Sequence, residues 1–584
     1  MKKLCLIMIF SLNFALWAQE RQKIDFVVGI DGDFKAAQEV AAQKAPQQNR
    51  FVIFFPTGEY PIGTLTGDAN QKTTFSTSNV SFIGQETQNT SITNRSSDEG
   101  IGITATLCFN KADNIYMQDI TVHNKANYGN PSSYTETGRH VAVQEQGKKF
   151  IYKNVRLLST QDTYYTKGTK TYWENGEIHG TTDFICGGGD VFFNECKIYT
   201  LKRSAITAAS STNNEWGYVF KNCTIDGNSN AEGYTLGRSW NDAKTVFIGT
   251  TLKLLPTAEG WGNPMNSVPQ VFAEFETKNS SGQLLDLSSR RKTYSKNDIT
   301  VNINPVLSAN QAAQYTIENV LGGDDNWRPQ DLSAQIAAPL VQQKDAKLIW
   351  NDQSKVRYWA IFKNGKYLDN TIAPEYALNQ AQDGEIYTVR AANQMGGLGP
   401  ASVPLSFVSG PQDYYSYQCE YGEMHESIFE DKNPGFNGSG YVNFNPVLGS
   451  SVSVPIYLEK GGNYLLNLRY ANGSDYTRYL SVEVDGQTQK DSWEFPPTGA
   501  WNQWMEDQIE VEVPAGSSTV KFTTIDANDG PNLDQFEFQE KPTQEKPTHL
   551  KYRKNHAEEY FNGQNHWSNK ALKLYDLQGK RISP

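Results

Sequence analysis

Asp162 and Asp183 each lie ten residues after an aromatic residue that opens a short recurring unit, Tyr152 in one case and Trp173 in the other. If those units stack in register as neighbouring coils, the two carboxylates fall on one face, roughly 4.8 Å apart at the backbone. Carboxylates that close do not ionise independently, and one keeps its proton to higher pH. One residue type then supplies both an acid and a nucleophile or base. The plainer alternative is a pair of solvated corner residues, a common position for Asp.

The units that must carry this pair recur through the first half of the chain. YKNVRL (152–157), WENGEI (173–178), FNECKI (193–198) and FKNCTI (220–225) share one pattern, with looser copies at YMQDITV (from Tyr116) and FIGTTL (from Phe247). Their starts lie roughly 20 to 36 residues apart, the range of stacked repeats. Each is aromatic and β-branched, with Gly, Asn and Asp at its ends, which reads as strand and turn. The expected fold class is all-β: a right-handed parallel β-helix, in which each coil buries its apolar face on its neighbours, followed by two β-sandwich domains. An amphipathic helix from Phe34 to Ala45 is expected to cap the first coil, because an open coil exposes apolar side chains and strand edges.

QDT (161–163), DFICG (183–187) and LGRSW (236–240) resemble, in order and spacing, the three signature motifs of pectin methylesterases (pectinesterases, carbohydrate esterase family 8). The resemblance extends upstream through DGDFKAAQEV (31–40), FFPTGEYPIGTL (54–65) and SFIGQETQNTSITN (81–94). It implies hydrolysis of galacturonosyl methyl esters in pectin, with methanol released and no catalytic cofactor. Asp183 would be the nucleophile. Asp162 would protonate departing methanol and then activate water. Arg238 would aim Asp183 and keep it ionised, Gln161 would line the oxyanion site, and Trp240 and Tyr165 would hold the sugar. Three positions depart from the family pattern. A gapless alignment puts Arg139 where the QAVAL-type motif has Gln, a cation that would stabilise the oxyanion and attract a substrate carboxylate; a one-residue slip would put His140 there. Cys186 replaces the usual Phe, and Ser239 the usual Pro. Arg203 is a second choice for orienting Asp183. Two other readings stay open: a catalytically impaired pectin-binding paralogue, or a polysaccharide lyase on the same scaffold.

At 584 residues the chain holds three or four domains. The chain is expected to comprise a signal peptide (1–18), a β-helix esterase domain (25–302), a linker with a short helix (303–332), a fibronectin type III-like sandwich (333–411), a carbohydrate-binding-module-like sandwich (412–540) and a polar tail (541–584). Fibronectin-like modules are mostly spacers. In the second sandwich, resemblance to carbohydrate-binding modules places Tyr441, Trp501 and Asn532 at a sugar site. It also places Gln418, Glu420 and Asp534 at a structural calcium, which takes oxygen ligands.

A net charge of −11 argues against nucleic acid or an anionic membrane as partner. The expected partner is homogalacturonan or branched pectin. The amino-terminal lysines and apolar run read as an export signal, and no later apolar stretch is long enough to span a bilayer. Export to the periplasm, cell surface or medium is expected. The ending LKLYDLQGKRI resembles the end of the sorting domains of Bacteroidetes secreted proteins, which implies a Gram-negative bacterium, but is too short for a whole one. Five cysteines follow the signal, an odd count. Cys196 and Cys223 hold equivalent repeat positions, as either a disulfide or a pair of buried thiols.

Overall fold

The computed structural model describes residues 21–63, 72–126, 138–410 and 414–541. The expected signal peptide and almost all of the tail lie outside the described residues. The first half winds through three parallel sheets, of ten, seven and nine strands among the described residues. Each complete coil contributes one strand to each sheet, and the first and last turns contribute fewer. Register follows the repeats: Tyr152 pairs with Trp173, Trp173 with Phe193, Phe193 with Phe220 and Phe220 with Phe247. Inside the helix these rings form a ladder, with centroids 4.2 Å apart for Tyr152–Trp173, 4.3 Å for Phe193–Phe220 and 4.5 Å for Phe220–Phe247.

The polar residues after each aromatic have a backbone reason. Asp119, Asn154, Asn175, Glu195 and Asn222 occupy equivalent corners and all have φ between 52° and 56°. This left-handed region is costly for most L-residues, and Asn and Asp tolerate it best. The copy at 116–122 is in a different register from the one expected. Met117, not Tyr116, pairs with Tyr152 and enters the core, whereas Tyr116 pairs with Ile151 and points outward.

The cap helix runs Phe34–Lys44, with Asp33 accepting from the Ala36 amide at 2.9 Å and Phe34, Ala37 and Ala41 buried. Cys196 and Cys223 are buried free thiols, as are Cys108, Cys186 and Cys419. The stretch expected to be a linker is packed instead. Its short helix Ile317–Leu321 and the Trp327 behind it bury Val320, Leu321 and Trp327 against Ile151, Tyr172, Phe192 and Val219 of the ten-stranded sheet.

The first sandwich, strands Val341–Lys344 through Leu405–Ser406, is no spacer either. Tyr358, Ala360, Phe362, Met395 and Leu398 share one buried cluster with Val52, Phe54, Ile83 and Tyr116 of the β-helix. Ser81 Oγ donates to Met395 O at 2.6 Å, Gln118 Nε2 to Leu398 O at 2.7 Å and Arg390 Nη1 to Gln85 O at 2.8 Å. The second sandwich, from Tyr414–Gln418 to Asn532–Glu540, has its own two antiparallel sheets and a core that Ile349 of the first sandwich joins at its edge. No helix among the described residues is long and apolar enough to cross a membrane.

Candidate active site

The site lies where successive coils turn from the nine-stranded into the seven-stranded sheet. Asp162 and Asp183 sit at this turn on adjacent coils, at φ 62° and 48°. Each amide is tied to the next coil, Asp162 N to Thr182 O at 3.2 Å and Asp183 N to Ala205 O at 2.7 Å. Gly187, at φ 101°, closes the DFICG turn where a Cβ would come within 1.9 Å of Thr166 O. Along the outer face of the seven-stranded sheet one register row reads Cys108, Gln144, Tyr165, Cys186, Ala208 and Arg238. The small side chains of Cys186 and Ala208 leave room above the sheet for both carboxylates.

Arg238 uses that room. From the strand Thr235–Asn241 it reaches back over Ala208 and donates Nε to Asp183 Oδ1 at 2.8 Å and Nη2 to Asp183 Oδ2, a two-pronged pair. Both aspartates are almost wholly buried, at 4% and 3% exposure. Burial raises the pKa of Asp183, and the Arg238 bonds oppose that rise. Asp162 has no such partner. Burial first, then the neighbouring Asp183 charge, push its pKa up to about 7, with the Cys186 thiol, 3.7 Å from Asp162 Oδ1, and the Arg139 charge acting the other way. Both carboxyls are raised, and Arg238 restrains the rise at Asp183 while Asp162 is pushed towards the acid.

Trp240 and Tyr165 meet beside this pair with ring centroids 6.2 Å apart, and Lys167 Nζ lies 5.3 Å over the Tyr165 ring. Ser239 accepts from the Ala243 amide at 3.1 Å and closes the turn after the Arg238 strand. Arg203 is not at the site. Its Nε donates to Gly233 O at 3.2 Å on the exposed side, because the turn before Ala205–Ser210 carries it outward.

Arg139 pairs with Gln161 across coils. Its charge, however, is not bare. Nε donates to Glu99 Oε1 and Oε2 at 2.8 and 3.1 Å, and Nη2 to Oε2 at 2.7 Å. The lone cation expected at the oxyanion is therefore half of an ion pair. Nothing in the sequence motifs marked Glu99, 40 positions earlier. His140, the alternative, is buried with its Nδ1 2.8 Å from Ser96 Oγ.

A second group escaped the sequence reading. Glu145 is fully buried inside the coil under this face. Its Oε1 accepts from Tyr164 at 2.7 Å, Thr166 at 2.6 Å and Thr171 at 2.7 Å, and its Oε2 from Tyr152 at 2.9 Å. Burial raises its pKa, and the four hydroxyls act against that. Strand alternation in Val143–Gln146 turns Glu145 inward with Val143, and that alternation is the signal that could have found it.

In the second sandwich the expected sugar residues separate. Tyr441 is fully buried: Phe436 and Trp504 cover its ring, with centroids 5.9 and 5.4 Å away, and Asn433 donates to its hydroxyl at 2.8 Å. It has no face to offer a sugar. Trp501 and Asn532 come to the same end of the sandwich. Arg478 stacks on Trp501 at 4.9 Å and on the exposed Tyr476 at 5.3 Å, and donates to Gly530 O at 2.8 Å near Asn532, whose buried Oδ1 has no partner. Tyr476 is the aromatic the sequence reading passed over.

Gln418 Oε1 and Glu420 Oε1 converge under Gly438, where a Cβ would meet them at 2.7 and 2.6 Å, and Gln418 Oε1 and Glu420 Oε2 are buried without partners. Unpartnered hard oxygens of this kind fit calcium. Asp534 is turned to the Asn437 amide, 3.0 Å from each oxygen, and to Arg469. Among the described residues no three His, Cys, Asp or Glu side chains form a metal-binding group.

Fold and site together define a parallel β-helix protein with a buried pair of carboxylates at one turn of its coils. Residues 25–324, just over half of the chain, match the Pectinesterase family, and the chain belongs to that family. Residues 418–540 match the carbohydrate binding module (family 6). Similar proteins include a putative pectinesterase/pectinesterase inhibitor 26 of Arabidopsis thaliana, 29% identical over 51% of this chain and 30% of that protein. An exo-beta-D-glucosaminidase of Amycolatopsis orientalis is 34% identical over 22% of this chain and 12% of that protein. The chain thus spans under a third of the length of either curated relative. A pectin methylesterase structure from Erwinia chrysanthemi aligns at 22% identity and TM-score 0.41, over 53% of this chain and 98% of that one.

Proposed function

We propose that the chain hydrolyses methyl esters of galacturonosyl units in pectin. The observation that carries this reading is the asymmetry of the aspartate pair: Asp183 gripped by Arg238, Asp162 holding a proton up to about pH 7. An Asp183 oxygen attacks the ester carbon and forms a tetrahedral oxyanion, with Gln161 the nearest candidate donor by register. Collapse breaks the bond to methoxide, which leaves as methanol with the Asp162 proton. Asp162, now anionic, takes a proton from water, and the hydroxide attacks the galacturonosyl carbonyl of the acyl-Asp183 anhydride. Collapse breaks the bond to Asp183 and releases galacturonic acid, which gives its proton to solvent, so Asp183 is an anion again and Asp162 carries its proton. Tyr165 and Trp240 supply the apolar wall for the sugar.

The second sandwich would hold wall polysaccharide at its Trp501, Tyr476 and Asn532 end. Calcium, if bound by Gln418 and Glu420 with Asp534 beside them, would brace the 437–439 turn and take no part in chemistry. The amino-terminal segment supports export from a Gram-negative cell.

Methanol release from methylated pectin, followed beside the absorbance of unsaturated products, tests the reading. Methanol without absorbance supports it. Absorbance without methanol would select a lyase, and neither signal a binding protein.

A further inference from the structure

We propose that Glu99 is a specificity-determining residue: by occupying the Arg139 fork, it makes the cleft reject a free carboxylate next to the reacting unit and accept a neutral, methyl-esterified one. This rests on the esterase reading above. Arg139 stands opposite Gln161 in the coil-to-coil register, one residue from Asp162. Glu99 comes to it from a loop that is itself built against the Arg139 backbone. Gly100 N donates to Arg139 O at 3.1 Å, and Thr104 Oγ1 to Arg139 O and Gly100 O at 2.8 Å each. The pair is therefore fixed from both main chains and is not a chance meeting of two long side chains.

Both side chains remain open to a substrate, at 45% and 47% exposure. In this arrangement the guanidinium's two parallel donors, the geometry that would grip a galacturonate carboxylate, are filled by the protein's own carboxylate. An incoming anion would have to displace Glu99 or lie beside it and Asp183, and a methyl ester adds no charge to that cluster. Selection against the charged neighbour comes from repulsion as much as from attraction to the neutral one. Removing the Glu99 charge would free the Arg139 fork and reverse the preference.

The test compares wild type, Glu99→Gln and the Glu99→Gln/Arg139→Gln double variant on highly methylated pectin and on pectin de-esterified at random to about half, reading kcat and KM from methanol release. The expected result is a wild-type preference for the highly methylated polymer. In Glu99→Gln the kcat/KM ratio should move roughly threefold to fivefold towards the half-de-esterified polymer, the size expected of a part-exposed ion pair. The change should fall in KM, shrink at high salt and vanish in the double variant. An unchanged ratio in an active Glu99→Gln protein overturns the inference. So does an equal loss on both polymers, which would make Glu99 only an anchor for its loop. Wild type that releases methanol from neither pectin overturns the esterase reading itself, and the inference with it.

Discussion

Asp162 and Asp183 share burial, a left-handed corner and a face, and differ in what touches them. Arg238 gives Asp183 two hydrogen bonds from a cation, and Cys186 gives Asp162 one weak contact from a thiol at 3.7 Å. Activity should therefore follow a bell in pH. The alkaline limb should lie near Asp162's value of about 7, where the acid is lost. The acid limb should lie above the ordinary carboxylate range, where Asp183 takes a proton. A kcat/KM profile measures both, and a profile flat from pH 5 to 9 would contradict the assignment. Asp183→Asn should remove methanol release with the fold intact by circular dichroism, since no nucleophile remains; near wild-type turnover would reassign the nucleophile.

Asp162 also makes a stability prediction. Its folded pKa lies above its unfolded value, so the folded state binds the extra proton. Stability is fully present below the unfolded value and declines as pH rises towards about 7. Asp162→Asn removes that penalty and should stabilise the protein at pH 8 by up to ~4 kcal/mol, with little change at pH 4. Equal melting temperatures for variant and wild type at pH 8 would mean that Asp162 ionises freely. The pair was legible in the sequence because stacking converts equal offsets into proximity, and Arg238 because LGRSW resembles a family motif. Glu99 was not, because the loop that delivers it carries no repeat. Tyr441 misled because an aromatic on a strand reads alike whether it faces solvent or core.

At the scale of the coil, the repeat was legible because an unusual backbone angle recurs and selects its residue. The corner positions Asn154, Asn175 and Asn222 match the demand for positive φ; Glu195, at φ 56°, does not. Glu195 is exposed, so its replacement disturbs little else. Glu195→Asn should stabilise the protein by about 0.5–1 kcal/mol, part of the left-handed penalty, seen as a higher denaturant midpoint with unchanged slope. A lower midpoint would mean that the glutamate side chain matters more than its backbone.

The register at Tyr116 was misread for a related reason. Strand alternation reports which side is wet, and this sheet has no wet side there. Met117 lies in the helix interior, and Tyr116 is covered by the sandwich, its hydroxyl donating to Gln118 Oε1 at 2.5 Å. Two adjacent buried apolar residues carry no sign of which one points inward.

At the scale of the molecule, the same burial decides what the carboxy-terminal half is for. The sequence showed sandwich strands but not where they sit, because the contacts that seat them join residues hundreds of positions apart, as in Ser81–Met395 and Gln118–Leu398. The two sandwiches also meet each other, around a cleft of about 710 Å³ lined by residues of both, including Gln343, Leu405, Tyr414 and Gln418. Two truncations should therefore behave differently. Ending the chain after residue 411 removes a domain with its own core and should leave a soluble protein that turns over short soluble methyl esters and binds intact wall material more weakly. Ending it after residue 332 strips the cover from Val52, Phe54, Ile83 and Tyr116. An apolar patch of that kind is an aggregation hazard, so this protein should be recovered mainly in the insoluble fraction. Soluble yield and methanol release from the two truncations check the point together. A soluble, fully active chain ending at residue 332 would return the first sandwich to the role of spacer, and an insoluble chain ending at residue 411 would make the second sandwich part of the same structural unit.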